Sequence, residues 1–470
     1  MKKPDDFIGF VELNGLQCSF IFEERTLRVF PSSKDQWEDD KNDLEQFFSS
    51  FNDSAPAWIP RKDIHGVLHT GQKIMFCVWD NPGWIDGFQS YEVNWLVVYA
   101  REPVSEIAGL RIYGDEINDY FPPSKTFSAA ISEDPETRLI TSMSVSGDIY
   151  EQEWGECQFD GYSATVKWNA YPTVHYQTST PFTAKSLIAV DFLSPQQLDN
   201  VWNCYYTFRR FLSYVVYRRN VMPLDVDLVK ITPEGQREAC GKIAVISTDP
   251  SSKEEGHKDR GDRIIKASVL GINAKHLLPF LSSNEIYFEH FCASIDGVGK
   301  YSTARAILIF AAFEREFRSL YGQDYQRSEA FLETKKTVVQ KIDEIVQATS
   351  GKERKYTKGF KGAIEKMDSS LEDKICAATR DCQEIMQPFI CREYHTQDFT
   401  EVIDAAKRLN GIRNDIAHGN LEFELEPVNL RDYKILEYLL YAMRLKRTVC
   451  LEPKNIQKAI SDLFGLHLIH

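Results

Sequence analysis

The sequence lacks several features that would place it in a familiar class of protein. Its 10 cysteines include no Cys-x2-Cys pair, which disfavours a zinc ribbon or a thiol redox centre. No apolar run is long enough to cross a bilayer, and the first residues carry no apolar core of the kind found in signal peptides. We therefore expect a soluble cytoplasmic protein with reduced thiols, no membrane contact, no metal and no cofactor.

A net positive charge is also missing. The chain has 55 Lys+Arg against 69 Asp+Glu, a formal net charge of −14. The excess of acid lies in residues 1–300, because basic and acidic residues are balanced in residues 301–470. Sequence-independent binding of nucleic acid depends on clustered positive charge. The N-terminal part is thus a poor candidate for that role, whereas the C-terminal part could carry a local basic face.

Tryptophan is absent after Trp202, although the chain contains 8 of them. Before that point, short runs rich in Val, Ile, Phe, Tyr and Thr alternate with turn residues, which is typical of antiparallel strands. From about Ser302 onward the apolar residues follow helical spacing. The sequence predicts an α+β protein: a β-rich domain at 1–222 that ends in a long helix, a mixed connector at 223–298, and an all-α helical bundle at 299–470.

Capping residues and prolines predict several element boundaries. Ser194 as cap and Pro195 at the first helical position predict the start of the helix that ends the β-rich domain, and we expect that helix to pack on the strands. Gly322 and Pro388 predict the ends of two helices in the bundle. Two polar segments are predicted to be surface loops: residues 36–53 and 247–262.

Residues 409–419 contain the strongest chemical signal. Arg413 and His418 form an Arg-x4-His pattern with Asn414 directly after the arginine. A guanidinium that binds phosphate and an imidazole that transfers a proton near neutral pH are the minimum for cutting RNA without a metal. On a straight helix these two side chains lie about 140° apart, so either the helix ends inside the pattern or a second copy completes the site. The same residues also suit a plain helix C-terminus, with a cation in the last turn and Gly419 beyond it.

A second candidate surface precedes this pattern in the chain. Basic residues are densest in a stretch that also contains two aromatic residues, Tyr356 and Phe360. The stretch could grip an RNA backbone and stack a base, or it could be a solvated loop before a helix. Glu314, in the first helix of the bundle, could be a buried partner of Arg413 or could lie at the edge of the apolar face. The candidate RNA-binding residues are Lys352, Arg354, Lys355, Tyr356, Lys358 and Lys361.

Residues 300–450 resemble a HEPN domain, the helical ribonuclease module of many prokaryotic toxins and antiviral systems. The resemblance is carried by Arg413-Asn414-Asp415-Ile416-Ala417-His418-Gly419, late in the bundle, and by the long first helix with its apolar residues 307–313. The layout as a whole, a strand-rich domain followed by a HEPN domain, is similar to the ApeA group of bacterial anti-phage proteins.

This resemblance implies a metal-independent endoribonuclease that dimerises through its HEPN domain, so that two Arg-x4-His motifs face one cleft. Arg413 would bind the scissile phosphate, His418 would transfer protons, and Asn414 would orient His418 or the phosphate. The products would carry a 2′,3′-cyclic phosphate and a 5′-OH. The implied target is tRNA, cut near the anticodon as a toxic, abortive response to infection. The N-terminal domain would then be a sensor or regulator that meets a phage-encoded trigger.

A non-catalytic protein is the alternative. In that interpretation the HEPN-like bundle only dimerises and recognises a partner, and residues 413–418 form a helix end. The N-terminal domain would then carry the function, by binding a phage protein or another ligand.

Overall fold

The computed structural model describes twelve stretches of the chain and divides it into two compact units. The described residues are 7–13, 15–31, 61–80, 83–85, 88–133, 140–174, 182–221, 224–245, 260–322, 329–365, 370–419 and 426–466. The β-rich unit comprises Met1–Val215, Asn220–Gly261 and Ala274–Ser283, and the helical unit comprises Val216–Arg219, Asp262–Asn273 and Asn284–His470. The predicted α+β class is confirmed. The loop predicted at 36–53 lies outside the described residues, as does 247–259 of the second loop.

The β-rich unit is built from antiparallel strands, and every strand pairing within it is antiparallel in the described part of the chain. The strands are β1 (Phe7–Leu13), β2 (Leu16–Glu23), β3 (Thr26–Pro31), β4 (Arg61–Leu68), β5 (Lys73–Trp79), β6 (Gly83–Ile85), β7 (Phe88–Tyr99), β8 (Ile107–Tyr113), β9 (Phe127–Glu133), β10 (Ile140–Gly147), β11 (Tyr150–Gln158), β12 (Ser163–Val174), β13 (Phe182–Gln196), β14 (Asp225–Ile231) and β15 (Arg237–Val245). Two short helices accompany them, α1 (Asp115–Tyr120) and a 3₁₀ turn (Pro123–Thr126).

Six of these strands close into a ring in the order β7, β3, β2, β1, β4, β5 and back to β7. Side chains on a strand alternate between the two faces, and in β1 and β2 every second residue is buried. The interior is filled by a single apolar cluster in which Phe20 and Phe22 both contact the ring of Phe76. The inward-facing side chains of the ring therefore form a packed apolar core.

Strand β7 continues past the ring and starts an open sheet in the order β15, β14, β8, β13, β12, β11. Helix α2 (Leu198–Val216) covers this sheet. Trp202 of α2 stacks on Trp95 with ring centroids 4.8 Å apart, and Phe211 contacts the rings of Trp154 and Trp168. The prediction that this helix packs on the strands is confirmed, and Trp95, Trp154, Trp168 and Trp202 are buried in the core between them.

The predicted start of α2 is wrong. Ser194 and Pro195 belong to β13, which runs on to Gln196, and the helix begins at Leu198. Gln196 pairs with Ile107 of β8 after a register shift that starts at Asp191. A proline has no N–H to give to a strand ladder and is tolerated at such an irregularity. The Ser-Pro pair therefore marks a bulged strand end here, although it resembles a helix start in the sequence.

The structure distributes the predicted connector, residues 223–298, between both units. Strands β14 and β15 pair with β8 and β7 and so complete the open sheet of the β-rich unit. Short helical segments follow, and they are interrupted at Gly271. These segments are α3 (Ala267–Leu270), a 3₁₀ helix (Gly271–His276) and α4 (Leu277–Ser282).

The helical unit consists of α5 (Thr303–Tyr321), α6 (Glu329–Ala348), α7 (Gly351–Glu365), α8 (Leu371–Asp381), α9 (Gln383–Tyr394), α10 (Thr400–Ala417), α11 (Pro427–Thr448) and α12 (Pro453–Phe464). α5 and α11 pack on each other, and α8, α9, α10 and α12 pack around α11. Among the described helices, none combines the length and the apolar character needed to cross a membrane.

One of the two predicted helix ends in this unit is confirmed and the other is wrong. α5 ends at Tyr321 with Gly322 as its C-cap at φ 83°, a backbone angle that favours glycine. Pro388, in contrast, lies inside α9. A proline cannot donate to the carbonyl four residues earlier, and here the Glu384 carbonyl accepts a 2.8 Å hydrogen bond from the Gln457 side chain of α12. Packing against α12 thus compensates for the donor that the proline removes.

Two buried ionic clusters lie within the core of the helical unit. In the first, the Glu316 carboxylate accepts from Arg444 at 3.3 Å and from Arg447 at 2.7 Å. Arg444 and His290 are both fully buried, with the guanidinium 3.3 Å from Nε2 of the imidazole. Burial first, and then the positive charge of Arg444, lower the pKa of His290 well below its ordinary value. The folded protein therefore holds His290 as a neutral imidazole.

Because of this shift, the stability of the helical unit is expected to depend on pH. An unfolded histidine binds a proton below about pH 6.5, whereas buried His290 resists protonation, so acid favours the unfolded chain. The stabilisation that depends on neutral His290 is fully present above about pH 6.5. Below that pH the free energy of unfolding decreases by up to about 1.4 kcal/mol per pH unit. Urea unfolding between pH 7.5 and 5 measures this slope. His290→Gln, which is neutral at every pH and can still accept from Arg444, should flatten it, and an unchanged slope contradicts the assignment.

In the second cluster, the Glu437 carboxylate of α11 accepts from three donors. They are the hydroxyl of Tyr217, the hydroxyl of Tyr301 at 2.5 Å, and the guanidinium of Arg305 at 2.6 Å. Only 1% of the Glu437 side chain and 12% of the Arg305 side chain are exposed. Burial, and then the Glu437 charge, raise the pKa of both tyrosines well above the ordinary value, so both hydroxyls stay protonated and donate. This cluster ties α11 to the beginning of α5.

Candidate functional site

Helix α10, which carries the Arg-x4-His pattern, is fixed by one apolar face and one ion pair. Its apolar face packs against α8, α11 and α5. Arg408, five residues before Arg413, donates two hydrogen bonds to the buried Asp432 carboxylate of α11, at 2.7 and 2.9 Å. The Tyr394 hydroxyl donates to the same carboxylate at 2.8 Å. These contacts set the rotation of α10 about its axis. The buried residues of α10 are Val402, Ala405, Ala406, Leu409 and Ile412.

The rotation of α10 leaves Arg413, Asn414 and His418 exposed to solvent. The Arg413 guanidinium lies 3.9 Å from the Glu314 carboxylate of α5, and 44% and 27% of the two side chains are exposed. Glu314 therefore lies at the edge of the apolar face and is not buried. Arg413 also donates to the Asn414 side-chain oxygen at 3.4 Å, so within one chain Asn414 contacts the arginine of the pattern.

The end of α10 is made by backbone atoms. Ala417 is the last helical residue, and the N–H of His418 donates to the Asn414 carbonyl at 3.0 Å. Gly419 has φ 82° and its N–H donates to the Ile416 carbonyl, which is the usual way for a glycine to terminate a helix. Residues 413–419 therefore form a regular helix C-terminus, which is one of the two predicted interpretations. The helix does end inside the pattern, but within the described residues its termination uses no atom of the His418 imidazole.

The basic stretch forms helix α7, so the loop considered in the sequence interpretation is wrong. α7 and α6 pack mainly against each other, and no residue of α7 is buried. Its two aromatic side chains are among the most exposed in the described chain, Tyr356 at 63% and Phe360 at 66%. On a helix they lie four residues apart and share a face, and Arg354, Lys355 and Lys358 lie on the opposite side.

Lys361 differs from the other basic residues of α7. Its ammonium group donates to both carboxylate oxygens of Asp343 on α6, at 2.6 and 2.8 Å, and lies 3.5 Å from Glu365. Hydrogen bonding to Asp343 raises its pKa. Lys361 therefore joins α7 to α6, and Lys352, Arg354, Lys355 and Lys358 remain as the exposed cations of this helix.

Sequence reasoning missed the Arg408–Asp432 pair. No local signal distinguishes Arg408 from other surface arginines, because its partner lies on another helix and becomes a neighbour only when α10 packs on α11.

In the described stretches, no three His, Cys, Asp or Glu side chains cluster closely enough to hold a metal ion.

Comparisons with known proteins found no counterpart for the chain. No family model matches it. No curated protein matches it, and no solved structure matches it.

Proposed function

We propose that this protein is a metal-independent endoribonuclease of anti-phage defence, with Arg413, Asn414 and His418 as its reactive residues. The main support for this proposal is that all three side chains are exposed at the end of α10. The hydrogen bonds that end this helix are made by backbone atoms and by none of the three side chains. The resemblance of residues 413–419 to the HEPN motif supports the choice of RNA as substrate. tRNA cut near the anticodon is the specific target that the same resemblance suggests.

The reaction would use the 2′-OH of the RNA as its nucleophile. A neutral His418 imidazole takes the proton of that hydroxyl while its oxygen bonds to the adjacent phosphorus. The bond from phosphorus to the 5′-oxygen then breaks, and this oxygen accepts a proton, which the protonated imidazole of a second copy can supply. The Arg413 guanidinium donates to the phosphate oxygens and stabilises the charge that develops on them. The products are a 2′,3′-cyclic phosphate and a 5′-OH.

Glu314 gives Arg413 a defined resting position in this scheme. A carboxylate at 3.9 Å from a half-exposed guanidinium holds it weakly. A phosphate that accepts two hydrogen bonds binds a guanidinium more strongly. The RNA phosphate can therefore replace Glu314 as the ion-pair partner of Arg413.

The direct test is incubation of purified protein with tRNA in EDTA. Discrete fragments are expected without added Mg²⁺ in at least one of two preparations: protein alone, or protein from phage-infected cells, in which any trigger is present. Cleavage that appears only on addition of Mg²⁺ contradicts the mechanism. Intact tRNA in both preparations contradicts the proposed function.

Helix α7 is the proposed contact surface for the RNA backbone. Double substitution of Lys355 and Lys358 by Ala is expected to weaken RNA binding at low salt and to reduce the slope of log K against log salt by about one unit per lost phosphate contact. Lys341→Ala, at an exposed lysine of α6, is the matched control and should leave the slope unchanged. Filter binding across a salt series measures both. Equal slopes for the control and the double variant would remove α7 from the interface.

A non-catalytic protein is the second candidate. The contact between Arg413 and Glu314 and the regular helix end at Gly419 favour it, since both are compatible with a purely structural segment. In that case the helical unit would serve dimerisation and the β-rich unit would bind a phage protein or another ligand. Expression in cells separates the two candidates. A nuclease should be toxic, at once or on infection, only when His418 is present, whereas a binding protein should be indifferent to His418→Ala.

A further inference from the structure

Strand β4 (Arg61–Leu68) is paired along one edge and largely unpaired along the other in the described part of the chain. Its partner on the first edge is β5, in unbroken register from Arg61 to Val67. Its partner on the second edge is β1, which pairs only with Gly66, Val67 and Leu68. Residues 61–65 therefore present a sheet edge that no described strand covers.

Two hydrogen bonds near the end of β4 show which backbone groups face this edge. The N–H of Leu68 donates to the Gln72 carbonyl on the β5 side at 2.8 Å, and the N–H of His69 donates to the Ile8 carbonyl on the β1 side at 2.9 Å. Successive residues of a strand direct their backbone groups to opposite edges. The residues that direct their N–H and C=O groups to the unpaired edge are therefore Arg61, Asp63 and His65.

Backbone groups left unpaired at a sheet edge are a template for a further strand. Residues 61–65 contain no proline and no bulge, two devices that block such pairing. The charged side chains of Arg61, Lys62 and Asp63 disfavour indiscriminate association between sheet edges. The edge is thus open to a strand but selective about which strand it accepts.

A groove of about 720 Å³ begins where β1 and β4 separate. The last two residues that pair, Val11 and Gly66, line it. Its apolar residues include the cross-strand partners Phe10 and Val67, and 51% of Phe10 is exposed. His65 lines the groove and also ends the unpaired edge, so a strand added to that edge continues into the groove. The polar residues that line the groove are Glu12, Gln17, His65, Lys73 and Glu102.

We propose that the unpaired edge of β4 binds an extended peptide segment of another protein, which adds to the sheet as a strand and places an apolar side chain beside Phe10. An extended main chain matches a row of N–H and C=O groups at strand spacing, whereas a sugar or a nucleotide offers no such repeat. The main-chain hydrogen bonds supply affinity that depends little on the peptide sequence. Phe10 and Val67 then select the side chain that enters the groove. This site does not depend on the ribonuclease activity proposed above.

Binding is tested with the full chain and a library of short linear peptides of random sequence. We expect the selected peptides to share an apolar residue and to bind through their backbone. N-methylation of a selected peptide on alternate residues, whose N–H groups face β4, should weaken binding about tenfold or more, because each methyl group removes a main-chain hydrogen bond. Methyl groups on the residues between them should have little effect. A library that yields no binder, or equal effects at all positions, overturns strand addition.

Two substitutions of one residue locate the binding at the β4 edge. His65→Pro removes an N–H that no described strand uses, so the fold should tolerate it, and binding of a selected peptide should weaken about tenfold. His65→Ala keeps the N–H and should bind within about threefold of wild type. Phe10→Ala should weaken binding about tenfold, whereas Leu193→Ala, at a comparably exposed apolar residue of β13, should not. Peptide binding that is indifferent to both His65→Pro and Phe10→Ala overturns the proposed site.

Hydrogen exchange at single amides tests whether the edge is open before a peptide binds. In the free chain the amides of Asp63 and His65 should exchange quickly, while those of Lys62 and Ile64, which face β5, should be protected. Addition of a selected peptide should slow exchange at Asp63 and His65. Slow exchange at these two amides in the free, dilute chain would show that another segment of the same chain occupies the edge. Slow exchange only in the concentrated chain would show that a second copy occupies it, and either result overturns the proposal.

Discussion

His418→Ala is expected to lower RNA cleavage in EDTA by about a thousandfold, with the fold intact. Removal of a group that transfers protons in the transition state commonly costs between a hundredfold and ten-thousandfold, and no other histidine of the described chain lies in the Arg-x4-His pattern. The side chain is exposed and its removal opens no cavity. Arg413→Ala should have a comparable effect, because the phosphate then loses its charged partner. Single-turnover cleavage of tRNA measures both variants.

A matched control for His418 exists in the same unit. His395 is also an exposed histidine at the C-cap of a helix, here α9. If His418 serves only to end a helix, the two alanine substitutions should act alike and leave cleavage unchanged. If His418 transfers protons, only its substitution should stop the reaction. Arg431, exposed on α11, provides the same control for Arg413. Loss of activity in the His395→Ala or Arg431→Ala variant would show that the assay reports stability and not chemistry.

Glu437→Ala is expected to destabilise the helical unit by about 3–5 kcal/mol, the cost of breaking a buried ion pair from one side. The substitution leaves the guanidinium of Arg305 buried without its partner and deprives the hydroxyls of Tyr217 and Tyr301 of their acceptor. Such a loss is a large share of the stability of an ordinary domain. The urea concentration at the midpoint of unfolding measures it.

Two further variants separate this effect from general damage to the unit. Glu314→Ala removes a carboxylate with 27% of its side chain exposed from the neighbouring helix α5, and should change stability by less than about 1 kcal/mol. Replacement of Arg305 by Met together with Glu437 by Leu should cost less than Glu437→Ala alone, because no unpaired charge remains. If Glu437→Ala is no more destabilising than Glu314→Ala, the cluster does not hold α11 to α5 as described.

Local chemistry made parts of this structure predictable from the sequence. The glycine that ends α5 acts through a backbone angle a few residues away from the helix, and Gly322 indeed caps it. The change from strands to helices follows from the change in hydrophobic period. The position of α10 likewise follows from the spacing of its apolar residues, which places Arg413 and His418 at its C-terminal end.

Elements whose character depends on distant partners were not predictable in this way. Pro388 remains inside α9 because Gln457 of α12 satisfies the carbonyl that a proline leaves free. Pro195 stays in β13 because of a pairing with β8. Strands β14 and β15 join the open sheet through partners over a hundred residues earlier, which no local pattern in residues 223–298 reveals.

In the candidate site too, some features could be predicted from the local sequence, and others depend on distant partners. Its reactive residues could be named from the sequence, and their exposure on α10 agrees with the role proposed for them. The ion pair of Arg408 with Asp432 and the position of Glu314 at 3.9 Å from Arg413 depend on how α10, α11 and α5 pack.

The chemical identity of the RNA ends is the most direct measurement of the central claim. Purified protein, activated by infected-cell extract if required, is incubated in EDTA with end-labelled tRNA, and the fragments are treated with polynucleotide kinase or with phosphatase. The mechanism predicts a 2′,3′-cyclic phosphate on one fragment and a 5′-OH on the other, because the 2′-OH is the nucleophile and His418 carries the proton. Fragments with a 3′-OH and a 5′-phosphate would contradict it, since they require water to attack the phosphorus instead.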